Sequence, residues 1–219
     1  MSLKEVQQLM QEIYGVPDDR LYEVEDLLYY GEKFIWRYIK LLQSKDQEGV
    51  VESSVVAVAW FLALMNRYHF DLEKLVWKRY SYKCPFCMDI PCSCGGKEGP
   101  PAGEAGIKGK KTGRPSSRRP NNLAEWQEVI KKIYPEGELT ELNFRLLYQI
   151  HNLDHSFRKF LREKKVGYFE EIETQSADYL VLLLRIFNVL KIDLGKKFGE
   201  MFKDGCYVCH KTPCECNYS

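Results

Sequence analysis

The chain has 219 residues, and its 32 Lys and Arg against 31 Asp and Glu give a formal net charge of +1, which is not the overall charge of a typical nucleic-acid-binding protein. Hydrophobic residues make up 45% and charged residues 29% of the chain, as in folded soluble proteins and unlike disordered ones. The N-terminal MSLKEVQQLM lacks the apolar segment of a signal peptide, and the longest apolar run, Val55 to Met65, is shorter than the roughly 18 residues of a membrane-spanning helix. These features predict a cytoplasmic protein with no membrane partner.

Hydrophobic periodicity predicts three helices in the first part of the chain. Apolar residues between Leu3 and Ile13 mark one face of a short helix, and those between Val24 and Ile39 recur at helical spacing in a second. The third predicted helix runs from about Val50 to Tyr68. It is apolar nearly all round, so we expect it to lie inside a bundle.

A cluster of cysteines with the spacing C-x2-C-x4-C-x-C follows the third helix: Cys84, Cys87, Cys92 and Cys94. Four thiolates this close in sequence suit tetrahedral Zn²⁺, which binds four sulfurs at about 2.3 Å. A closed shell of four thiolates leaves no open position for catalysis, so the pattern predicts structural zinc. A disulfide pair in an oxidising compartment and an iron–sulfur centre are the alternatives.

Residues 95–120 have the composition of a flexible linker, with seven glycines, four prolines and no hydrophobic periodicity. Seven Lys and Arg stand here against two Glu, so the linker is basic. No aromatic residues are interleaved for base stacking, and we therefore expect a solvated spacer with at most weak contact to nucleic acid.

The second half of the chain repeats the first. The cysteine cluster returns 122 positions later as Cys206, Cys209, Cys214 and Cys216, which predicts a second zinc site with His210 as a bystander. The same shift carries Asn66 onto Asn188 and Asp71-Leu72 onto Asp193-Leu194. Periodicity again predicts three helices, spanning Trp126 to Tyr134, Leu142 to Leu161 and Ile172 to Leu190.

The repeat predicts the architecture. No segment shows sustained strand alternation, so the fold class is all-α. Residues 1–94 and 121–219 form two helical units, each with a four-cysteine knuckle, joined by the linker. We expect the units to bury their apolar faces against each other as a pseudo-two-fold helix bundle, the covalent equivalent of a homodimer, with further self-association left open.

The order of features resembles one family. A helix opening with L-K-E, a Gly-Glu helix, an apolar helix ending at Asn66, the Asp71-Leu72-Glu73 exit and the cysteine tail look like the MazG-like all-α NTP pyrophosphohydrolases. The resemblance implies cleavage of a nucleoside triphosphate to monophosphate and pyrophosphate, or nucleotide binding only. It also implies a Mg²⁺ or Mn²⁺ ion held by an EExxE motif and an ExxD motif on successive helices, since such hard cations prefer oxygen ligands.

The chain departs from the family at these motifs. In the first repeat they fall on Leu28, Tyr29 and Glu32, then on Ser53 and Val56; in the second they fall on Ile150, His151 and Asp154, then on Gln175 and Asp178. The resemblance thus implies catalytic roles for Glu32, Asp154 and Asp178, and cofactor or nucleotide contacts for His151, Gln175 and Asn188. Glu25 and Glu52 are neighbours that offer substitute carboxylates in the first repeat.

Asp178 stands at the start of an apolar run, where an unpaired buried charge is costly. One interpretation joins it with His151, Asp154 and His155 in a site for a transition metal, because imidazole is a softer ligand than carboxylate. The other pairs Asp178 with Arg185 or a histidine. The lost carboxylates also support a different function, that of a catalytically inactive zinc-containing helical protein with an assembly or regulatory role.

Overall fold

The computed structural model describes residues 1–44, 46–94, 118–135 and 137–216. Within these ranges the chain forms eight α-helices and no β-strand, which confirms the all-α prediction. Most of the predicted linker lies outside the described residues. The helices are α1 (Leu3–Leu21), α2 (Val24–Ser44), α3 (Gln47–Arg67), α4 (Leu72–Tyr80), α5 (Leu123–Ile133), α6 (Leu139–Glu163), α7 (Val166–Leu190) and α8 (Leu194–Met201).

Several helices begin at a polar residue whose side chain caps the helix. The Ser2 hydroxyl accepts a hydrogen bond from the Glu5 N–H while the Glu5 carboxylate accepts one from the Ser2 N–H, which is a capping box. Asp71 and Asp193, the repeated residues after the apolar helices, are simple N-caps of α4 and α8: their carboxylates accept hydrogen bonds from the N–H groups of Lys74 and Lys196. These two short helices are additions to the six that periodicity predicts, because eight or nine residues show too few turns of a pattern.

The long apolar helices α3 and α7 occupy the centre of one continuous core. Helix α2 packs on α3 and α6 packs on α7, while α4 packs on α7 and α8 packs on α3. Each short fourth helix therefore lies on the central helix of the other half. The rings of Phe61 in α3 and Tyr179 in α7 meet with centroids 4.6 Å apart.

A buried glutamine joins three segments within each half. Gln7 donates to the Asn66 side chain at 3.1 Å and to the Phe70 carbonyl at 2.9 Å, and it accepts from the Leu72 N–H at 3.1 Å. Gln127 makes the equivalent bonds at 3.1, 2.9 and 3.0 Å; its partners are Asn188, Ile192 and Leu194. The network ties the first helix to the turn between the third and fourth helices.

Helix α3 has the length and apolar composition of a membrane span, and it is the one such helix in the described part of the chain. Within its most apolar window, 72% is buried inside the protein. A central core helix meets the same criterion, so this is weak support for a membrane location.

Candidate metal centres and the predicted carboxylate site

The eight cysteines form two groups of four, as their spacing predicts, and all are free thiols. In the first group the Sγ atoms of Cys84 and Cys94, and those of Cys87 and Cys92, lie 3.8 Å apart. In the second group the corresponding distances are 3.7 and 3.8 Å. Four sulfurs placed tetrahedrally at a Zn–S distance of about 2.3 Å are about 3.8 Å from one another. The geometry therefore fits one metal ion in each cluster.

The two clusters are held by the same backbone turn. The Cys84 N–H donates to the Asp89 carbonyl at 3.1 Å, and the Cys206 N–H donates to the Lys211 carbonyl at 3.0 Å. Met88 and His210 occupy equivalent left-handed positions with φ of 64° and 56°. The His210 side chain is exposed and is not part of the cysteine cluster.

Backbone N–H groups point at the sulfurs. The Ser93 N–H lies 3.4 Å from Cys87 Sγ, and the Glu215 N–H lies 3.4 Å from Cys209 Sγ. Burial acts to raise the thiol pKa, but these and neighbouring hydrogen bonds outweigh it and lower the pKa of both Cys87 and Cys209 to about 6. A lowered pKa favours the thiolate, the form that binds metal, at these two positions, whereas burial raises the pKa of Cys92, Cys94 and Cys216.

Each knuckle is bonded to the first helix of the opposite half. The Cys92 N–H donates to the Ile133 carbonyl at 2.7 Å, and the Cys214 N–H donates to the Ile13 carbonyl at 2.7 Å. Ile13 has a free carbonyl because its helical partner would be Pro17, which has no N–H. Ile133 has one because α5 ends there. Two different local causes thus leave a carbonyl free to accept at equivalent positions of the two repeats.

Contacts between aromatic side chains lie beside the two hydrogen bonds that join a knuckle to the opposite half. The Tyr14 ring meets the Phe202 ring edge-on at 6.2 Å, and the Tyr80 ring meets the Tyr134 ring edge-on at 6.5 Å. The Tyr134 hydroxyl lies 3.5 Å from Cys84 Sγ. Each cysteine cluster is therefore contiguous with a contact between the two halves.

Asp178 is held by residues of the other half. Arg79 forms a bidentate pair with its carboxylate, Nε to Oδ1 at 2.5 Å and Nη2 to Oδ2 at 2.9 Å, and the Tyr80 hydroxyl donates to Oδ1 at 2.6 Å. Burial, with the Asp178 charge adding to it, raises the pKa of Tyr80 well above its usual value. The interpretation that paired Asp178 with Arg185 or a histidine is not what the structure contains: the Arg185 guanidinium lies 4.4 Å from the centroid of the Tyr134 ring.

The other implied catalytic carboxylates lie at the surface or in local pairs. Asp154 forms an ion pair with Arg158 one turn along α6, at 2.8 Å. Glu32 is exposed and accepts a bond from the Trp36 indole at 3.3 Å, and His151 is exposed. Within the described ranges, the cysteine clusters are the only places where three or more side chains of the metal-binding types converge. The carboxylates predicted for Mg²⁺ or Mn²⁺ do not form such a group.

The remaining implied contacts are distributed between the core and the surface. The Asn188 side chain belongs to the Gln127 network, and Gln175 donates to Glu171 at 2.9 Å. The Gln175 Oε1 atom is buried with no hydrogen-bond partner in the described part of the chain, as is the hydroxyl of its repeat equivalent, Ser53. The substitute carboxylates are also placed: Glu25 is exposed, and Glu52 lies 3.7 Å from Arg37.

The sequence did not predict that each knuckle bonds to the opposite half, nor that Arg79 holds Asp178. One signal for the first was present, since Pro17 interrupts the hydrogen-bond ladder of α1. Comparison of the chain with protein-family models, with curated proteins and with solved structures finds no match.

Proposed function

We propose that this protein is a zinc-containing helical protein of MazG-like architecture that acts in assembly or regulation and does not hydrolyse nucleoside triphosphates. In this proposal its two repeats pack about a pseudo-two-fold axis. Support for the axis comes from the reciprocal bonds of Cys92 to Ile133 and of Cys214 to Ile13, and from the equivalent networks of Gln7 and Gln127.

The state of Asp178 carries the proposal. Mg²⁺ needs carboxylate oxygens that are free to coordinate it, and both oxygens of Asp178 already accept hydrogen bonds from Arg79 or Tyr80. The Asp178 side chain is 21% exposed and that of Arg79 26%, so a metal that displaced Arg79 would leave a largely buried cation without its partner. Asp178 is therefore assigned a structural role between the halves.

The cysteine clusters are proposed to hold two structural Zn²⁺ ions, one in each repeat. When bound, zinc supplies a tetrahedral crosslink that stabilises a segment too small to have its own core. In this chain the segment so stabilised presents Cys92 or Cys214 to the opposite half. Zinc-bound thiolates persist most readily in a reducing compartment, which fits the proposed cytoplasmic location.

A pyrophosphate-release assay on the full chain tests the absence of hydrolysis. A panel of nucleoside triphosphates is supplied with Mg²⁺ or Mn²⁺, and wild type is compared with Asp178→Ala and with Glu170→Ala, which removes an exposed carboxylate from the same helix. We expect no release above background in any of them. Release that is lost in Asp178→Ala and kept in Glu170→Ala would overturn the proposal.

A residual NTP pyrophosphohydrolase or nucleotide-binding site is the second candidate, with Glu32, Asp154 and Asp178 as its carboxylates and Mg²⁺ or Mn²⁺ as its metal. The observation in its favour is that Gln175 Oε1 and the Ser53 hydroxyl are buried and unpaired at equivalent positions of the implied motif. Gln175→Glu restores the carboxylate of that motif. A gain of metal-dependent nucleotide binding by calorimetry in this variant would support the second candidate, and no gain would support the first.

A further inference from the structure

A small cavity lies between α1 and the end of α3, and no cysteine is among the residues that line it. Its volume is about 110 Å³, and Met10 and Ala63 supply an apolar part of its wall. Polar groups supply the rest, among them Gln11, Asp18, Asp19 and Arg67. A cavity of ~150 Å³ accommodates a benzene ring, so this one has room for a group of about five heavy atoms.

Asp18 lines this cavity and is only 6% exposed. No hydrogen bond or ion pair from the described residues reaches its carboxyl group. The nearby Arg67 guanidinium is engaged elsewhere, since it donates to the carbonyls of Tyr22 and Asp18 at 2.6 and 2.7 Å and to the Asp19 carboxylate at 3.3 Å. Burial raises the pKa of Asp18 to about 7; Arg67 opposes this effect and Asp19 adds to it.

The bundle itself does not require this arrangement. In the second half, α5 ends at Ile133, before the position that corresponds to Asp18. Arg185 and Val189 stand where the first half has Ala63 and Arg67. The repeat thus builds the same helical core without the buried carboxylate.

We propose that this cavity binds a small organic cation with N–H donors, a guanidinium or primary ammonium group, with the Asp18 carboxylate as its countercharge. Asp18 and Asp19 against Arg67 leave one negative charge in excess, which a monocation neutralises and an anion would increase. The Gln11 amide, also at the cavity, offers a further acceptor oxygen. This inference is independent of the proposed function, since it involves neither the cysteines nor Asp178.

Titration calorimetry with methylguanidinium tests the site. N-methylurea is the matched neutral probe, because it has nearly the same shape without the charge, and tetramethylammonium is the cation without donors. We expect binding of methylguanidinium alone. Asp18→Asn, which keeps the side-chain shape, should weaken it at least tenfold, while the control Asp19→Asn should weaken it less than threefold.

The pH dependence on wild type provides a measurement that needs no variant. Because the cation needs an ionised Asp18, affinity should be about tenfold higher at pH 8 than at pH 6. The other charged or titratable groups around Asp18 are Asp19, Arg67, Tyr22 and His69. The profile is repeated in His69→Gln, which removes the imidazole that lines the cavity and should retain the tenfold difference.

Any of three results overturns the proposal. The first is no binding of methylguanidinium at about 10 mM, a concentration at which even millimolar affinity is detected. The second is equal binding of N-methylurea, and the third is unchanged binding of methylguanidinium to an Asp18→Asn variant that has a native circular dichroism spectrum. A further probe separates two sources of the same chemistry. If N-acetylarginine amide binds as well as methylguanidinium, the natural ligand is an arginine side chain of a peptide; if it does not, the ligand is a free small cation.

Discussion

Loss of one knuckle should loosen the first helix of the opposite repeat. The perturbation is the double substitution Cys209→Ser and Cys216→Ser, which removes two sulfurs of the second cluster. Its matched control is Cys87→Ser with Cys94→Ser, at the equivalent positions of the first cluster. In each variant the metal-binding turn is no longer fixed, and its contact with the other half is lost.

The expected effect on α1 can be estimated from two contacts. The bond from the Cys214 N–H to the Ile13 carbonyl contributes about 1 kcal/mol, and the edge-on pair of Tyr14 with Phe202 contributes about 1 kcal/mol. Together they amount to about 2 kcal/mol of local stability. Since each 1.4 kcal/mol corresponds to a factor of ten, amides in the last turns of α1 should exchange about 30-fold faster.

Hydrogen–deuterium exchange of peptides from the metal-loaded full chain measures this effect. In the second-knuckle variant we expect the largest change in the C-terminal half of α1, and in the first-knuckle variant at the end of α5, where Cys92 binds the Ile133 carbonyl. Each variant should leave the first helix of its own repeat nearly unchanged. If the loss of protection from exchange were confined to the repeat that carries the substitution, it would refute the contact of each knuckle with the opposite half.

Three further predictions follow from the contacts described above. The ion pair of Arg79 with Asp178 is about three-quarters buried. A double-mutant cycle with Ala at both positions, measured by urea unfolding, should therefore give a coupling free energy of about 2 kcal/mol. A coupling free energy below about 0.5 kcal/mol would contradict a structural role. Gln127→Ala leaves the buried Leu194 N–H without its acceptor and should cost about 1–3 kcal/mol, against almost nothing for the exposed Gln8→Ala, both measured by the same unfolding. Burial raises the pKa of Asp18 to about 7, so the folded state binds the proton more tightly than the unfolded state, and wild-type stability falls as pH rises from about 4 to 7. Asp18→Asn lacks this dependence, so its stability relative to wild type should increase by about 2–3 kcal/mol between pH 5 and pH 8. A difference that stays constant over this range would show that Asp18 titrates normally.

The features that the sequence predicted correctly depend on short spacings. Helix periodicity is visible within a few turns of a sequence. It predicted α2, α3, α6 and α7, and the ends of these helices differ from the predicted ones by no more than two turns. The cysteine ligands lie within eleven residues of one another, so their convergence follows from local chain geometry. The repeated Asp71 and Asp193 are cap residues of helices too short to be read from a pattern.

The partners of Asp178 illustrate what spacing does not reveal. Arg185 stands two turns away on the same helix and was the natural choice from the sequence, but Arg79 and Tyr80 reach Asp178 from almost a hundred residues earlier. Which half contacts which is a property of packing. A helix with apolar residues nearly all round specifies that it is buried, but not which helix covers it.

The sequence by itself determined the two copies, the helical class and the two groups of four thiols, because each is encoded in residue types at fixed short separations. Only the tertiary structure decided that each knuckle binds the other repeat, that an arginine of the first half holds Asp178, and that Asp18 is buried beside a cavity. These depend on backbone carbonyls and on side chains brought together from distant parts of the chain. Pro17 connects the two levels: its missing N–H is written in the sequence, and the group that takes its place, the N–H of Cys214, is supplied only by the fold.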